Sequence, residues 1–177
     1  MPRYGFVLMS TFGIEPVSFE GASTCPAPAP GHLPADDVLV TALAAARTVA
    51  VVGASPSDHR TSYAIAVWLM ENTPYEVFLV NPVAVGEEIR GHAFYASLDD
   101  LPVRPDIVDV FRRSEHVGPV AADAVAAQAS VLWLQLGVVN DEAASVARDA
   151  GLTVVQNHCL KVEYDRLRDP IEQTMAG

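Results

Sequence analysis

From Ala35 onward, the apolar and polar positions of the chain alternate between two patterns. Short continuous apolar runs are typical of strands buried on both faces, and the stretches between them carry apolar residues at helical spacing. The runs predict five strands, within TVAVVG (48–53), YEVFLVNP (75–82), PDIVDVFRR (105–113), SVLWLQLG (130–137) and LTVVQN (152–157). The helical spacing predicts helices within ADDVLVTALAAAR (35–47), SYAIAVWLMEN (62–72), SEHVGPVAADAVAAQA (114–129) and NDEAASVARDAG (140–151).

Strands that alternate with helices predict βαβ units, a parallel sheet and right-handed crossovers. We therefore expect an α/β protein, a Rossmann-like three-layer sandwich whose five-stranded parallel sheet has the order 3-2-1-4-5. The stretch GEEIRGHAFYA (86–96) predicts a loop with a short hairpin-like part, and the residues after the fifth strand predict a short polar tail. Ser97, Ser114 and Asn140 are the expected N-caps of the helices that follow them.

Residues 1–34 differ in composition from the rest of the chain. Pro26, Pro28, Pro30 and Pro34 lie close together in this segment, and proline-rich chain is typically extended rather than packed. We expect residues 1–34 to form a weakly structured N-terminal extension and residues 35–177 to form one domain.

Charge and cysteine content narrow the class of protein. The net charge of −11 and the sequence pI of about 4.7 argue against nucleic-acid binding, which needs a basic face. No stretch approaches the roughly 18 to 20 apolar residues of a membrane span. Two cysteines are too few for a disulfide framework, so a cytoplasmic location is expected. A protein partner is neither indicated nor excluded.

The loop after the first strand has the features of an anion site. Ligands of open parallel sheets bind at the carboxyl ends of the strands, and Gly53 ends the first strand. Thr61 and Ser62 begin the next helix, whose free N–H groups attract anions, and Arg60 adds a charged guanidinium. The alternative is a long turn in which Ser62 only caps the helix.

The ends of the second and third strands favour a particular kind of nucleotide. NAD sites usually carry an acidic residue about 20 residues beyond their glycines, whereas the second strand here ends at Asn81 and Pro82. Without that carboxylate, NADP or coenzyme A, each with a phosphate on its adenosine ribose, is favoured over NAD. Arg112 and Arg113 follow the third strand and bring further positive charge to the same edge. The alternative is that Asn81 and Pro82 form only a turn.

Taken in order, VAVVGASP, VNP, GEEIRG, YASLDDLP, DIVDVFRRSE, WLQLGVVNDEAA and AGLTVVQNHCLKVEY resemble the small bacterial and archaeal CoA-binding proteins. These are relatives of the CoA-binding domain of the succinyl-CoA synthetase α-subunit, and the resemblance runs from about Thr48 to Leu167. It implies a CoA molecule lying across the strand ends. By the same resemblance, Gly53, Ala54 and Ser55 form the phosphate loop, Asn81 and Pro82 flank the adenosine end, and Phe111, Arg112 and Arg113 line the opposite wall.

The expected function is binding of CoA or an acyl-CoA without catalysis by this chain. The larger ligases that it resembles use a phosphorylated histidine in a second domain, which is not expected here. His158 and Cys159 are adjacent in sequence, so a shared metal is awkward, and a buried cysteine is expected; a mixed disulfide of Cys159 with CoA is an open hypothesis. Asp106 and Asp109 lie three apart in a strand and therefore face opposite sides. The alternatives are an NADP-dependent oxidoreductase and a nucleotide-sensing interaction module.

Overall fold

The computed structural model describes residues 32–176, in which helices cover both faces of a seven-stranded sheet. The strands are β1 (Thr48–Val52), β2 (Glu76–Val80), β3 (Glu88–Ile89), β4 (His92–Tyr95), β5 (Ile107–Val110), β6 (Val131–Leu134) and β7 (Thr153–Val155). The helices are α1 (Asp36–Ala45), α2 (Thr61–Asn72), α3 (Val117–Ala126), α4 (Asp141–Asp149), α5 (Leu160–Arg166) and α6 (Arg168–Ala176). None of these helices is long and apolar enough to cross a membrane.

The sheet has the order β3-β4-β2-β1-β5-β6-β7. Every neighbouring pair is parallel except β3 and β4, which form an antiparallel hairpin at one edge. The chain builds outward from β1 to β2 and β4, then crosses to the other side of β1 and adds β5, β6 and β7. This change of direction places a topological switch point between β1 and β5, where ligands of such sheets bind.

The α/β class, the three layers and the five predicted strands are confirmed, but the expected strand count and order are wrong. The third predicted strand, which is β5, pairs with β1 in the register Val51↔Asp109 and not with β2. The outer edge of β2 is already filled, because β4 pairs with it at Leu79↔Phe94. The segment 86–96 is indeed a hairpin, but its second strand belongs to the sheet. When β4 is counted as the third strand, the parallel strands follow the order 3-2-1-4-5-6.

Each face of the sheet has its own apolar core, because alternate side chains of each strand point to opposite faces. On one face, Val51, Leu79 and Trp133 pack with buried residues of α1, α2, α5 and α6. On the other face, Val52, Val110, Leu132 and Leu134 pack with α3 and α4. The central strands are buried along their full length, which explains their continuous apolar sequences.

The residues after β7 are not a polar tail. They form α5 and α6, whose buried side chains Leu160, Tyr164, Leu167 and Ile171 recur at helical spacing and join the core beneath α1 and α2. The predicted polar tail is therefore wrong: the segment is rich in charged residues, but these lie between the apolar positions that face the core. Pro170 is tolerated because it lies in the first turn of α6, where its missing N–H has no helical partner.

Two of the three expected N-caps are confirmed. Asn140 accepts a hydrogen bond from the N–H of Ala143 at the start of α4, and Ser97 forms a capping box with Asp100. Ser114 does not cap α3, because a 3₁₀ turn over Ser114–His116 comes first. Its hydroxyl oxygen instead accepts from the N–H of Val139, which ties the start of α3 to the loop after β6.

The predicted N-terminal extension, residues 1–34, lies almost entirely outside the described residues. Within the described part, the carbonyl of His32 accepts a hydrogen bond from the N–H of Gln156 at 2.8 Å. Leu33 packs against the core that contains α1. Residues 32–34 therefore contact the domain at the carboxyl end of β7.

Candidate functional site

Two adjoining pockets lie at the carboxyl edge of the sheet, on either side of the β1–β5 switch point. The first, here called the polar pocket, has a volume of about 370 Å³. The second, the apolar pocket, has a volume of about 340 Å³. Both are lined by Thr61 and Phe111; the polar pocket adds Gly53, Ser55, Arg60, Ser62 and Asn81, and the apolar pocket adds Arg112, Arg113, Gln135, Leu136, Val138 and Cys159.

Gly53 joins the ends of β1 and β5. Its φ of +85° is a backbone conformation that L side chains rarely adopt, and glycine adopts it at no steric cost. A Cβ at this position would lie 2.6 Å from the carbonyl oxygen of Phe111. The N–H of Gly53 also donates to the carbonyl of Val80 at 2.8 Å. The missing side chain therefore lets the ends of β1, β2 and β5 come together, and the group that Gly53 approaches closely is the backbone of Phe111.

Asn81 holds the loop that follows Gly53. Its Nδ2 donates to the carbonyl oxygen of Ala54 at 2.8 Å, and its Oδ1 accepts from the N–H of Val83 at 3.4 Å. Ala54 is fully buried and does not line either pocket. Pro82 is exposed and begins a 3₁₀ turn outside both pockets. Apart from Ala54 and Pro82, every residue predicted for the site lines at least one pocket.

The N-terminus of α2 forms one wall of the polar pocket. The loop before it folds on itself, with the hydroxyl of Ser55 accepting from the N–H of Ser57. Arg60 is the N-cap residue, and its carbonyl accepts from the N–H of Tyr63. The N–H groups of Thr61 and Ser62 have no acceptor within residues 32–176. The first turn carries no acidic residue, so this helix end attracts anions.

Three arginines surround the pair of pockets. Arg60 lines the polar pocket, and Arg112 and Arg113 line the apolar pocket. In the part of the chain that the structure describes, none of the three forms an ion pair with a carboxylate, whereas Arg90, Arg166 and Arg168 do. In a chain with a net charge of −11, this edge of the sheet therefore presents a local group of positive side chains that is available to an anion.

Sequence reasoning missed two residues of the apolar pocket, Leu136 and Val138, and gave Gln135 no definite role. It connected Cys159 with the ligand only through the open hypothesis of a mixed disulfide with CoA. Leu136 and Val138 follow β6, and Cys159 is the N-cap residue of α5. Burial raises the pKa of the Cys159 thiol. The signal in the sequence was an apolar LQLGV stretch that continues past the strand end, where Leu136 is 47 % exposed.

Asp109 lies beside this pocket as a fully buried carboxyl group. Gln135 Nε2 donates to its two oxygens at 2.9 and 3.1 Å, and burial raises the pKa of Asp109 to about 8. Asp106 lies at the other end of the strand, where it accepts from the N–H groups of Arg47 and Thr48. The two carboxylates thus do not act as a pair, as the sequence predicted.

A larger groove of about 580 Å³ lies at the opposite edge of the sheet, between α1 and the amino ends of β5, β6 and β7. Its titratable lining residues are Asp37 and Asp106, and none of its lining residues is basic. Phosphate groups would meet only negative charge there, so the size of this groove does not make it the site of an anionic ligand.

The comparison with known families fits the site at the carboxyl edge. A family model described as a CoA binding domain matches residues 47–165. The chain belongs to this family. The match includes every residue that lines the two pockets, and it confirms the resemblance to small CoA-binding proteins.

Individual relatives of this CoA-binding domain are bacterial and archaeal. The uncharacterized protein YneT of Bacillus subtilis is 37 % identical over 118 residues, which cover 67 % of this chain and 85 % of YneT. A solved structure of a hypothetical protein from Pyrococcus horikoshii has a TM-score of 0.73 at 32 % identity and covers 80 % of this chain and 97 % of its own. A Thermus thermophilus structure has a TM-score of 0.71 at 36 % identity, with coverages of 76 % and 99 %.

Proposed function

We propose that this protein binds CoA across the carboxyl ends of its parallel strands and does not transform it. The observation that carries the proposal is the pairing of two adjoining pockets in a chain of the CoA-binding domain family. The polar pocket lies at a helix N-terminus and is lined by Arg60, and the apolar pocket is lined mostly by apolar groups and also by Arg112 and Arg113. CoA likewise combines anionic phosphates with an uncharged pantetheine arm, in which amide and hydroxyl groups alternate with apolar methyl and methylene groups.

The polar pocket is the proposed place for the diphosphate of CoA. The N–H groups of Thr61 and Ser62 supply donors at the positive end of α2, and Arg60 supplies a guanidinium that can contact two phosphate oxygens at once. Asn81 adds no negative charge to the wall. These features support an anionic ligand, and they correspond to the roles that the sequence predicted for Arg60, Thr61 and Ser62.

The apolar pocket is the proposed place for the pantetheine arm. Leu136, Val138 and Phe111 offer apolar contact, and Gln135 offers a hydrogen-bonding amide. Arg112 and Arg113 stand at the wall of the same pocket and can reach phosphate groups of a ligand that spans both pockets. Thr61 and Phe111 line both pockets, so one extended molecule can occupy the two.

The chemistry of the pocket supports binding without catalysis. Burial raises the pKa of Cys159, which disfavours the nucleophilic thiolate at neutral pH. The ring of His158 is buried, and its Nδ1 lies 2.7 Å from the carbonyl of Gln156. Among residues 32–176, the Cys159 thiol has no hydrogen bond to a basic side chain, whereas an activated cysteine needs a positioned base.

A thermal-shift comparison of CoA, acetyl-CoA, NAD, NADP and FAD tests the proposal. At ten times its Kd, a ligand adds about 1.4 kcal/mol to the free energy of unfolding, which raises the Tm of a domain of this size by roughly 3 to 6 °C. We expect this shift with CoA. A shift with NADP and none with CoA would contradict the proposal and favour the oxidoreductase alternative. Comparison of CoA with acetyl-CoA shows which form the apolar pocket accepts.

A further inference from the structure

Asp109 is a buried carboxyl group that simple ligand binding does not require. It lies in the middle of the sheet, between Val51 of β1 and Trp133 of β6, and its exposed fraction is 0 %. Among the described residues, the one side chain that hydrogen-bonds to it is Gln135. A polar group buried this deeply, with one side-chain partner, is costly for folding, which suggests that the pair serves the site.

Gln135 connects this carboxyl group to the ligand site. Its side chain is almost fully buried, yet it contributes to the wall of the apolar pocket. An ionised carboxylate can only accept hydrogen bonds, so it holds the Nε2 end of the amide and leaves Oε1 as the end that can serve the pocket. A protonated carboxyl group can donate to Oε1 instead, which allows the amide to turn and offer an N–H.

We propose that Asp109 is a positioning residue that determines, through Gln135, which end of the amide faces the apolar pocket. It thereby couples ligand binding to the release of a proton from its carboxyl group. The ligand group that meets Gln135 is then a hydrogen-bond donor, as each amide N–H of the pantetheine arm is. The identity of the ligand rests on the proposed function, whereas the coupling between Asp109 and Gln135 does not.

The groups around Asp109 determine how its ionisation changes the charge beside the apolar pocket. Burial raises the pKa of the carboxyl group to about 8, and the hydrogen bond from Gln135 acts in the opposite direction by favouring the ionised form. The strand neighbours on both sides are uncharged, and the residues that α2 buries are Ser62, Ile65, Ala66 and Leu69. Arg112 and Arg113 bring positive charge to the wall of the same pocket. The titratable groups on the α5 side are Cys159, His158, Lys161 and Glu163; Lys161 lies over the Trp68 ring and Glu163 pairs with Arg166. Cys159 is the group whose own pKa responds to Asp109.

The free protein provides the first test, by NMR of the Gln135 side-chain amide. The two N–H signals are assigned by their loss in Gln135→Met. We expect their chemical shifts to follow a titration with its midpoint near pH 8 in the wild type and to lose that titration in Asp109→Asn, whose amide is isosteric but cannot ionise. The same shift profile in both proteins would overturn the inference without any ligand being involved.

The second test measures the Kd of CoA by calorimetry between pH 6.5 and 9, in buffers with different ionisation enthalpies. Release of one proton can change the Kd by at most about tenfold per pH unit; we expect CoA to bind about fivefold or more tightly at the upper end in the wild type and expect Asp109→Asn to lose this dependence. Cys159→Ser, whatever its affinity, should keep the wild-type pH dependence. Equal dependence in the wild type and Asp109→Asn would overturn the coupling and leave CoA binding standing. Absence of CoA binding at every pH would instead contradict the proposed function, and the NMR titration would still decide on the coupling.

Discussion

A Cβ on Gly53 would lie 2.6 Å from the carbonyl oxygen of Phe111 and 3.3 Å from Cδ of Arg112. The end of β1 therefore contacts the end of β5 backbone to backbone, at the point where the sheet changes its building direction. Phe111 lines both pockets, so this contact sets the distance between their walls. Gly53 therefore shapes the site by allowing the ends of β1 and β5 to come together.

The first prediction is that Gly53→Ala destabilises the protein. The added Cβ meets a backbone oxygen that cannot move aside, and the residue must keep a φ of +85°, a conformation that costs about 1 kcal/mol or more for alanine. Chemical denaturation measures the loss. Gly86→Ala is the matched control, because Gly86 has a similar φ of +98° but nothing within 4 Å of the added Cβ. Equal losses in the two variants would contradict the role of the Phe111 contact.

The second prediction concerns the amide of Asn81. In Asn81→Asp the donor to the Ala54 carbonyl is replaced by a carboxylate oxygen, so a part-buried hydrogen bond becomes a repulsive contact. We expect a loss of about 1 to 3 kcal/mol in the free energy of unfolding and weaker CoA binding, since the loop loosens and gains negative charge. Asn72→Asp removes an exposed amide-to-carbonyl bond at the end of α2 and should cost less. A smaller stability loss for Asn81→Asp than for Asn72→Asp would count against the locking role.

The third prediction is that Arg60→Ala and Arg112→Ala each weaken CoA binding by roughly 10- to 100-fold, which corresponds to about 1.5 to 3 kcal/mol for a charge-assisted hydrogen bond. The affinity of the wild type should also fall as salt is raised from low to high concentration, because salt screens these contacts. Isothermal titration calorimetry measures both effects. Arg148→Ala removes the same charge from an exposed position on α4 and should leave the Kd unchanged. If all three variants weakened CoA binding equally, the net charge of the protein rather than the site would explain the affinity.

Much of this fold follows from local sequence, but the strand order does not. The strands β1, β2, β5, β6 and β7 could be predicted because residues such as Val51, Leu132 and Val154 lie in apolar runs that are buried on both faces of the sheet. The pairing of β5 with β1 depends on β4 having taken the edge of β2. In β4 the one buried residue is Phe94, and Ala93 is exposed, so β4 lacks the continuous apolar run that identifies the other parallel strands and its pattern does not separate it from a loop. The residue pattern of one strand does not show whether the edge of another strand is already paired.

The residues of the candidate site also fall into those that the sequence predicts and those that it does not. Gly53, Arg60, Asn81 and Arg112 could be predicted, because strand ends of a parallel sheet share one edge. Cys159 could not, because it reaches the apolar pocket through the turn between β7 and α5, whose course depends on the missed helices. The contact of Gln135 with Asp109 also needs β5 and β6 to be neighbours, which is a property of the sheet rather than of either strand.

The fourth prediction is a pH dependence of stability that Asp109→Asn removes. The pKa of the Asp109 carboxyl group is about 8 in the folded protein, against an ordinary aspartate pKa of 3.8, so the folded state binds the proton more tightly. The contribution of Asp109 protonation to the free energy of unfolding is fully present below about pH 4 and is lost as the pH rises to about 8. The free energy of unfolding then falls with a slope that approaches about 1.4 kcal/mol per pH unit. We therefore expect Asp109→Asn to gain stability relative to the wild type between pH 5 and 8 in urea denaturation. A difference that stays constant with pH would show that Asp109 does not titrate in this range.

The most direct test of the central claim, that CoA lies at the carboxyl edge of the sheet, is a ¹H–¹⁵N NMR titration of the protein with CoA. We expect the backbone amide signals of Gly53, Thr61 and Leu136, which line the two pockets, to shift and saturate together. The signals of Thr41 and Ser130, in the larger groove at the opposite edge, should stay in place. Shifts confined to that opposite groove, or no saturable shifts at all, would contradict the account.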